Sequence, residues 1–182
     1  MRLFFAVNFS EEEKDVLMKN VNELKKTCTR GNFTKRENLH ITLAFLGEVD
    51  RARLGTVRAA ASQLRSAPFD ICISGAGRFG QLVWLGVEPN GAEELRRLAS
   101  ALRAECRARN ISFDEKPFSP HLTVCRQAEF SDGCSVETYK NKVIPLNAKI
   151  TSFELMESTR IDGKLTYVKI YSKKLEPEET IK

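Results

Sequence analysis

The chain has 182 residues, 42% of them hydrophobic, and a formal net charge of +5, which suits one ordinary domain or two small lobes on a shared core. The positive balance favours a polyanionic partner, nucleic acid or a phosphorylated small molecule, without choosing between them. Five cysteines, an odd number with no C-x-x-C spacing, and only two histidines argue against a zinc set or a fully paired disulfide framework and for free thiols in a reducing cytoplasm. No apolar run approaches 18 residues, and "MRLFFAVNFSEEE" turns acidic too early for a signal-peptide core, so neither export nor a membrane span is expected.

In chain order, "RLFFAVNF" reads as a strand, and "SEEEKDVLMKNVNELKKTC" as a helix opened by a capping box of Ser10 and Glu13. Leu17, Val21, Leu24 and Cys28 mark its buried stripe. "NLHITLAFLG" alternates as a strand, and "RARLGTVRAAASQL" carries Leu54, Val57, Ala61 and Leu64 at helical spacing before Pro68. Strands "FDICISG" and "LVWLGVE" follow. The helix "GAEELRRLASALRAECRA" then buries Leu95, Leu98 and Leu102, and a strand opens at His121. The segment Ser131 to Pro145 carries no readable pattern. "AKITSFELMEST" and "KLTYVKIYSKKL" form a hairpin across Asp162-Gly163, and an acidic tail starts at about residue 176.

The order strand, helix, histidine strand occurs twice, at an offset of about 80 residues, which suggests internal duplication. The expected fold is α+β: residues 1–182 as a single domain, bilobed, with antiparallel sheets facing across a central cleft and helices on the outside. No linker or low-complexity segment divides the chain.

Both histidines sit in the same pattern, His40 in "HITL" and His121 in "HLTV". The two-residue period of a strand puts His40 with Thr42 on one face and Ile41, Leu43 and Phe45 on the other. His121 and Thr123 likewise lie opposite Leu122 and Val124. Each strand therefore buries an apolar side and offers an imidazole beside a hydroxyl. Two imidazoles can share proton removal and proton delivery in a displacement at phosphorus at neutral pH, while threonine hydroxyls donate to phosphate oxygens. No carboxylate cluster suited to a metal is evident, and no cofactor is expected.

The residues "NLHITLAFLGE" and "SPHLTVCR" resemble the paired H-x-T-x motifs of the 2H phosphoesterases. With "MRLFFAV" and "WLGV", the chain is similar to the LigT-like RNA 2′,3′-cyclic phosphodiesterases of the ThpR type. The resemblance implies metal-free hydrolysis of RNA or nucleotide 2′,3′-cyclic phosphate ends to a 2′-phosphate, with reversal as 2′-5′ RNA ligation. It implies His40 as the acid on the leaving 3′ oxygen, His121 as the base on water, and Thr42, Thr123 and Arg126 on the phosphate. Strict alternation sends Arg126 away from the His121 face unless the strand bulges. By the same alternation Cys125 joins that face, as a small filler. Phe45, Phe79 and Phe118 are read as core rather than as a stacking surface, and Arg78 is the cation nearest "WLGV". The competing reading is a non-catalytic RNA- or nucleotide-binding module using the same cleft. No membrane contact and no obligate protein partner is expected.

Overall fold

A computed structural model describes residues 1–176; the acidic tail expected from about 176 lies almost entirely outside them. Strand β1 (Arg2–Asn8) leads into helix α1 (Glu11–Lys26). Both bonds of the capping box form: the Ser10 amide donates to Glu13 Oε2 at 2.7 Å, and the Glu13 amide donates to Ser10 Oγ at 3.2 Å. Leu17, Val21 and Leu24 are buried as the stripe requires. Cys28 does not extend it, because the helix ends at Lys26 and Cys28 opens strand β2 (Cys28–Phe33).

The chain continues through β3 (His40–Glu48), α2 (Leu54–Ser62), β4 (Phe69–Phe79), β5 (Leu82–Val87), α3 (Pro89–Ala108) and β6 (His121–Phe130). Helix α4 (Val136–Lys140), β7 (Leu146–Ile150), β8 (Ser152–Ile161) and β9 (Lys164–Lys174) complete it. The strands form two antiparallel sheets, ordered β3-β1-β8-β9 and β2-β6-β5-β4-β7. In each, the histidine strand lies beside the strand that precedes a helix. The partner of His40 is Asn8 and that of His121 is Gly86; the partner of Thr42 is Ala6 and that of Thr123 is Trp84. Both pairs of partners are separated by 78 residues, so the duplication seen in the sequence holds residue by residue in the strand pairing.

Strands β3 and β6 touch, which brings the two histidine strands together where the sheets meet. Helix α3 ties the sheets to each other by packing on both β3 and β4, whereas α1, which follows β1 of the first sheet, packs on β2 and β7 of the second. One continuous apolar core results, with Phe5, Ile41 and Leu43 from one sheet and Leu85, Leu122 and Val124 from the other.

Three features depart from the sequence reading. β2 carries no alternating pattern, and pairing with β6 makes it a strand. The stretch expected as one strand from Ala148 onward breaks at Thr151, so that β7 pairs with β4 in the five-stranded sheet and β8 with β1 in the other. Residues 131–145, unreadable in sequence, dock on α1. Asn20 donates to and accepts from the Ile144 backbone at 2.9 and 2.8 Å, and the buried Tyr139 hydroxyl donates to the Asn20 carbonyl at 3.0 Å. The β8–β9 hairpin forms as expected, with Asp162 and Gly163 at φ 49° and 74°, the left-handed pair that its tight turn needs.

Candidate active site

Both histidine strands carry an extra residue at the same place. Opposite β1, Ala6 pairs with Thr42 but Phe5 pairs with Ala44. Opposite β5, Trp84 pairs with Thr123 but Val83 pairs with Cys125. In each case two consecutive residues turn inward, Leu43 with Ala44 and Val124 with Cys125, all fully buried. A bulge of this kind reverses the alternation beyond it. Arg126 therefore returns to the side of His121 and Thr123, and Phe45 to the side of His40 and Thr42. All six line one cleft of about 1100 Å³.

Two expectations are corrected by the same bulges. Phe45 faces the cleft rather than the core, and Cys125 packs in the core rather than on the His121 face, where burial pushes its thiol up to about 11. A thiol so raised is a poor nucleophile. Phe118 is half-buried against the core, as read, whereas Phe79 is 50% exposed and meets His121 edge-on with ring centres 5.4 Å apart. Arg78 is not among the residues lining the cleft.

The imidazoles are held in matching ways. His40 Nδ1–H donates to the carbonyl of Asn38 at 2.7 Å, and His121 Nδ1–H donates to the carbonyl of Ser119 at 2.7 Å. A carbonyl can only accept, so the proton sits on Nδ1 of each ring and Nε2 is left for chemistry. At His40 that nitrogen accepts from the Thr42 hydroxyl at 2.9 Å. Phe4 and Tyr167 enclose the His40 ring, with centroids 5.1 and 5.2 Å away. Burial lowers the His40 pKa from 6.5 to about 4, against the opposing pull of the Asn38 carbonyl; the charges of Arg126 and His121 lower it further. At neutral pH His40 is therefore a neutral acceptor.

This shift makes stability depend on pH. Above pH 6.5 neither the folded nor the unfolded chain holds a proton on His40. As pH falls from 6.5 towards 4 the unfolded chain takes one up and the folded chain does not, so stability is lost across that window. Urea unfolding midpoints of the wild type and His40→Asn, compared between pH 7 and pH 4, should show the wild type losing more on acidification. Parallel curves would mean that the folded protein holds His40 near its ordinary pKa.

Four cations line the cleft, Arg2, Lys35, Arg126 and Arg160, against one carboxylate, Glu48. Glu48 lies 3.5 Å from the Met1 nitrogen. Among the described residues none of the four cations makes an ion pair, whereas Arg36, Arg97 and Arg109 on the outer surface all do. Sequence reasoning missed Arg2, Lys35 and Arg160. It also missed Asn38 and Ser119, whose backbone carbonyls do the positioning and so leave no side-chain signal.

The chain matches the 2′-5′ RNA ligase superfamily over residues 14–162. It belongs to that superfamily. Among its superfamily relatives, the RNA 2′,3′-cyclic phosphodiesterase of Thermotoga maritima is 30% identical over 166 residues, 87% of each chain. That of Archaeoglobus fulgidus is 35% identical over 131 residues, 69% of this chain and 72% of the relative. The structure of Escherichia coli LigT complexed with 3′-AMP superposes with a TM-score of 0.79 at 26% identity, covering 96% of this chain and 97% of that one. The α+β fold with paired antiparallel sheets is therefore that of the superfamily.

Proposed function

We propose that this superfamily member is an RNA 2′,3′-cyclic phosphodiesterase whose site is His40, Thr42, His121, Thr123 and Arg126, acting on RNA ends or nucleotides that carry a 2′,3′-cyclic phosphate. The observation that carries this reading is the pair of imidazoles on one cleft, each fixed through Nδ1 to a backbone carbonyl and each beside a threonine. The cyclic phosphate lies between them. One Nε2 removes the proton of an attacking water, and the other delivers a proton to the leaving ribose oxygen. Thr42, Thr123 and Arg126 surround the non-bridging oxygens, where charge grows as the P–O bond breaks.

In the direction implied by the family resemblance, His40 protonates the 3′ oxygen and the product is a 2′-phosphate. For this His40 must gain a proton that its lowered pKa withholds at neutral pH. The substrate anion supplies the reason, because a negative charge beside the imidazole stabilises its cation and offsets Arg126. With a 5′ hydroxyl in place of water as the attacking group, the same two proton transfers break the P–O3′ bond and join the 2′ phosphate to the incoming 5′ oxygen, which is 2′-5′ ligation.

Residues 1–182 act as one domain in this reading, supported by the core that runs unbroken between both sheets. The five cysteines, all free, suit a reducing cytoplasm, and among the described residues no helix is long and apolar enough to cross a membrane. The described residues also offer no group of three His, Cys, Asp or Glu side chains placed to hold a metal.

The test is incubation of an oligonucleotide ending in 2′,3′-cyclic phosphate with excess EDTA, followed by identification of the product end. Turnover to a 2′-phosphate is the expected result. Loss of activity in EDTA with recovery on adding a divalent ion would overturn the two-histidine mechanism, and a 3′-phosphate product would exchange the roles of the leaving oxygens.

A further inference from the structure

We propose that Arg2 and Arg160 form a second phosphate site in the cleft, taking the 5′ phosphate of the nucleotide whose cyclic phosphate lies between the histidines. The proposal rests on the functional reading above and extends it from the reacting phosphate to the next one along the strand.

Both arginines line the same cleft as the histidines. Arg2 opens β1, and the pairing of Leu3 with Glu157 brings it level with Ser158 on β8. Ser158 and Arg160 share a face of β8 by the two-residue period, and Ser158 also lines the cleft. Two guanidinium groups and a hydroxyl thus converge on one end of the first sheet. Each guanidinium is already held: Arg2 lies over the face of Phe45, 5.0 Å from its centroid, and Arg160 donates to the Gly163 carbonyl at 2.9 Å. Among the described residues neither has a carboxylate partner, although Glu48 sits opposite Arg2 across the β1–β3 ladder; Glu48 lies instead beside the Met1 nitrogen.

The position fits a neighbouring phosphate. Arg2 lies four residues along β1 from Ala6, the partner of Thr42, about 13 Å at the backbone, but its guanidinium lies over Phe45, which is about 10 Å or less along β3 from the hydroxyl facing the reacting phosphate. That is comparable to the length of one nucleotide unit. Besides Arg126, the remaining unpaired cation of the cleft is Lys35, in the link between β2 and β3. It has a single flexible ammonium group, whereas two positioned guanidinium groups offer the planar, paired donors that suit a phosphate.

The experiment compares a nucleoside 2′,3′-cyclic phosphate bearing a 5′ phosphate with the same compound bearing a 5′ hydroxyl, at constant ionic strength. The wild type should favour the phosphorylated compound in kcat/KM by on the order of tenfold. Arg2→Ala and Arg160→Ala should each bring the ratio towards one, while Arg97→Ala, on the outer face of α3, should leave it unchanged. In parallel, calorimetry should show the same preference for a nucleoside 2′,5′-bisphosphate over its 2′-monophosphate, which reads the subsite without turnover. A wild type that hydrolyses neither compound but still prefers the bisphosphate would sink the catalytic reading and leave the subsite standing. Equal affinity for the two, or a preference that survives both arginine variants and disappears in Lys35→Ala, would overturn the proposal.

Discussion

Replacing either His40 or His121 by alanine is expected to lower kcat on a cyclic-phosphate substrate by about 10²–10⁴-fold, the usual worth of one positioned proton transfer. The double variant should lose less than the product of the two, because once one transfer is missing the other has little left to assist. Binding of a nucleoside 2′-phosphate should fall far less, since both threonines and Arg126 remain. The fold should persist, as Ile41, Leu43, Leu122 and Val124 stay in the core and the packing lost at His40, against Phe4 and Tyr167, lies outside the main core. The rate of the intact protein should follow a bell-shaped pH curve whose limbs belong to the coupled pair. NMR titration adds a direct check on His40: its pKa should be about 4 in the free protein and should rise when the 2′-phosphate binds. A His40 that stays low in the complex would have to be the base rather than the acid. Near-full turnover by either alanine variant would remove the pair from the chemistry.

Arg126→Ala should lower kcat/KM by roughly 10–100-fold, the range expected when a hydrogen bond to a charged group is lost. Arg126→Lys should recover only part of this, because an ammonium keeps the charge but not the two parallel donors. The Arg126 charge helps to lower the His40 pKa, so its removal should move that pKa upward and shift the pH–rate curve of the coupled pair. The dependence of RNA affinity on salt should weaken as one phosphate contact disappears. Unchanged kinetics together with an unmoved His40 titration would place the side chain outside the reacting centre.

The bulge that brings Arg126 to the site shows why it was ambiguous in sequence. His121, Thr123 and Arg126 fit a single face only if one residue between them is skipped, and nothing in "HLTVCR" marks which one. The same holds for Phe45 in "HITLAF". In both strands the inserted position is taken by consecutive small or apolar residues, Leu43 with Ala44 and Val124 with Cys125. Those residues suit either face until a neighbouring strand fixes the register.

Cys125 shows the cost of counting by twos through such a point. The assignment of Phe45 to the core failed for the same reason. β7 and β8 are a different case. The apolar positions change phase at Thr151-Ser152, from Ala148 and Ile150 to Phe153 and Leu155, and pairing with two sheet edges, β4 and β1, turns that shift into a break between strands.

The sequence by itself determined the parts that depend on local periodicity and residue type. These are the two H-x-T patterns, the Ser10–Glu13 helix cap, the buried stripes of the helices short of Cys28, the Asp162-Gly163 turn, and the repeat that relates β1 and α1 to β5 and α3. Each follows from contacts within a few residues, or from a side chain whose chemistry is fixed whatever surrounds it. Tertiary structure alone decided which strand joined which sheet, where each histidine strand bulged, and which of the many arginines faced the cleft without a carboxylate. It also set the His40 pKa, through burial under Phe4 and Tyr167 and the nearness of a cation 86 positions away in the chain. Those outcomes depend on backbone pairing and on the local dielectric, which arise only when distant segments meet.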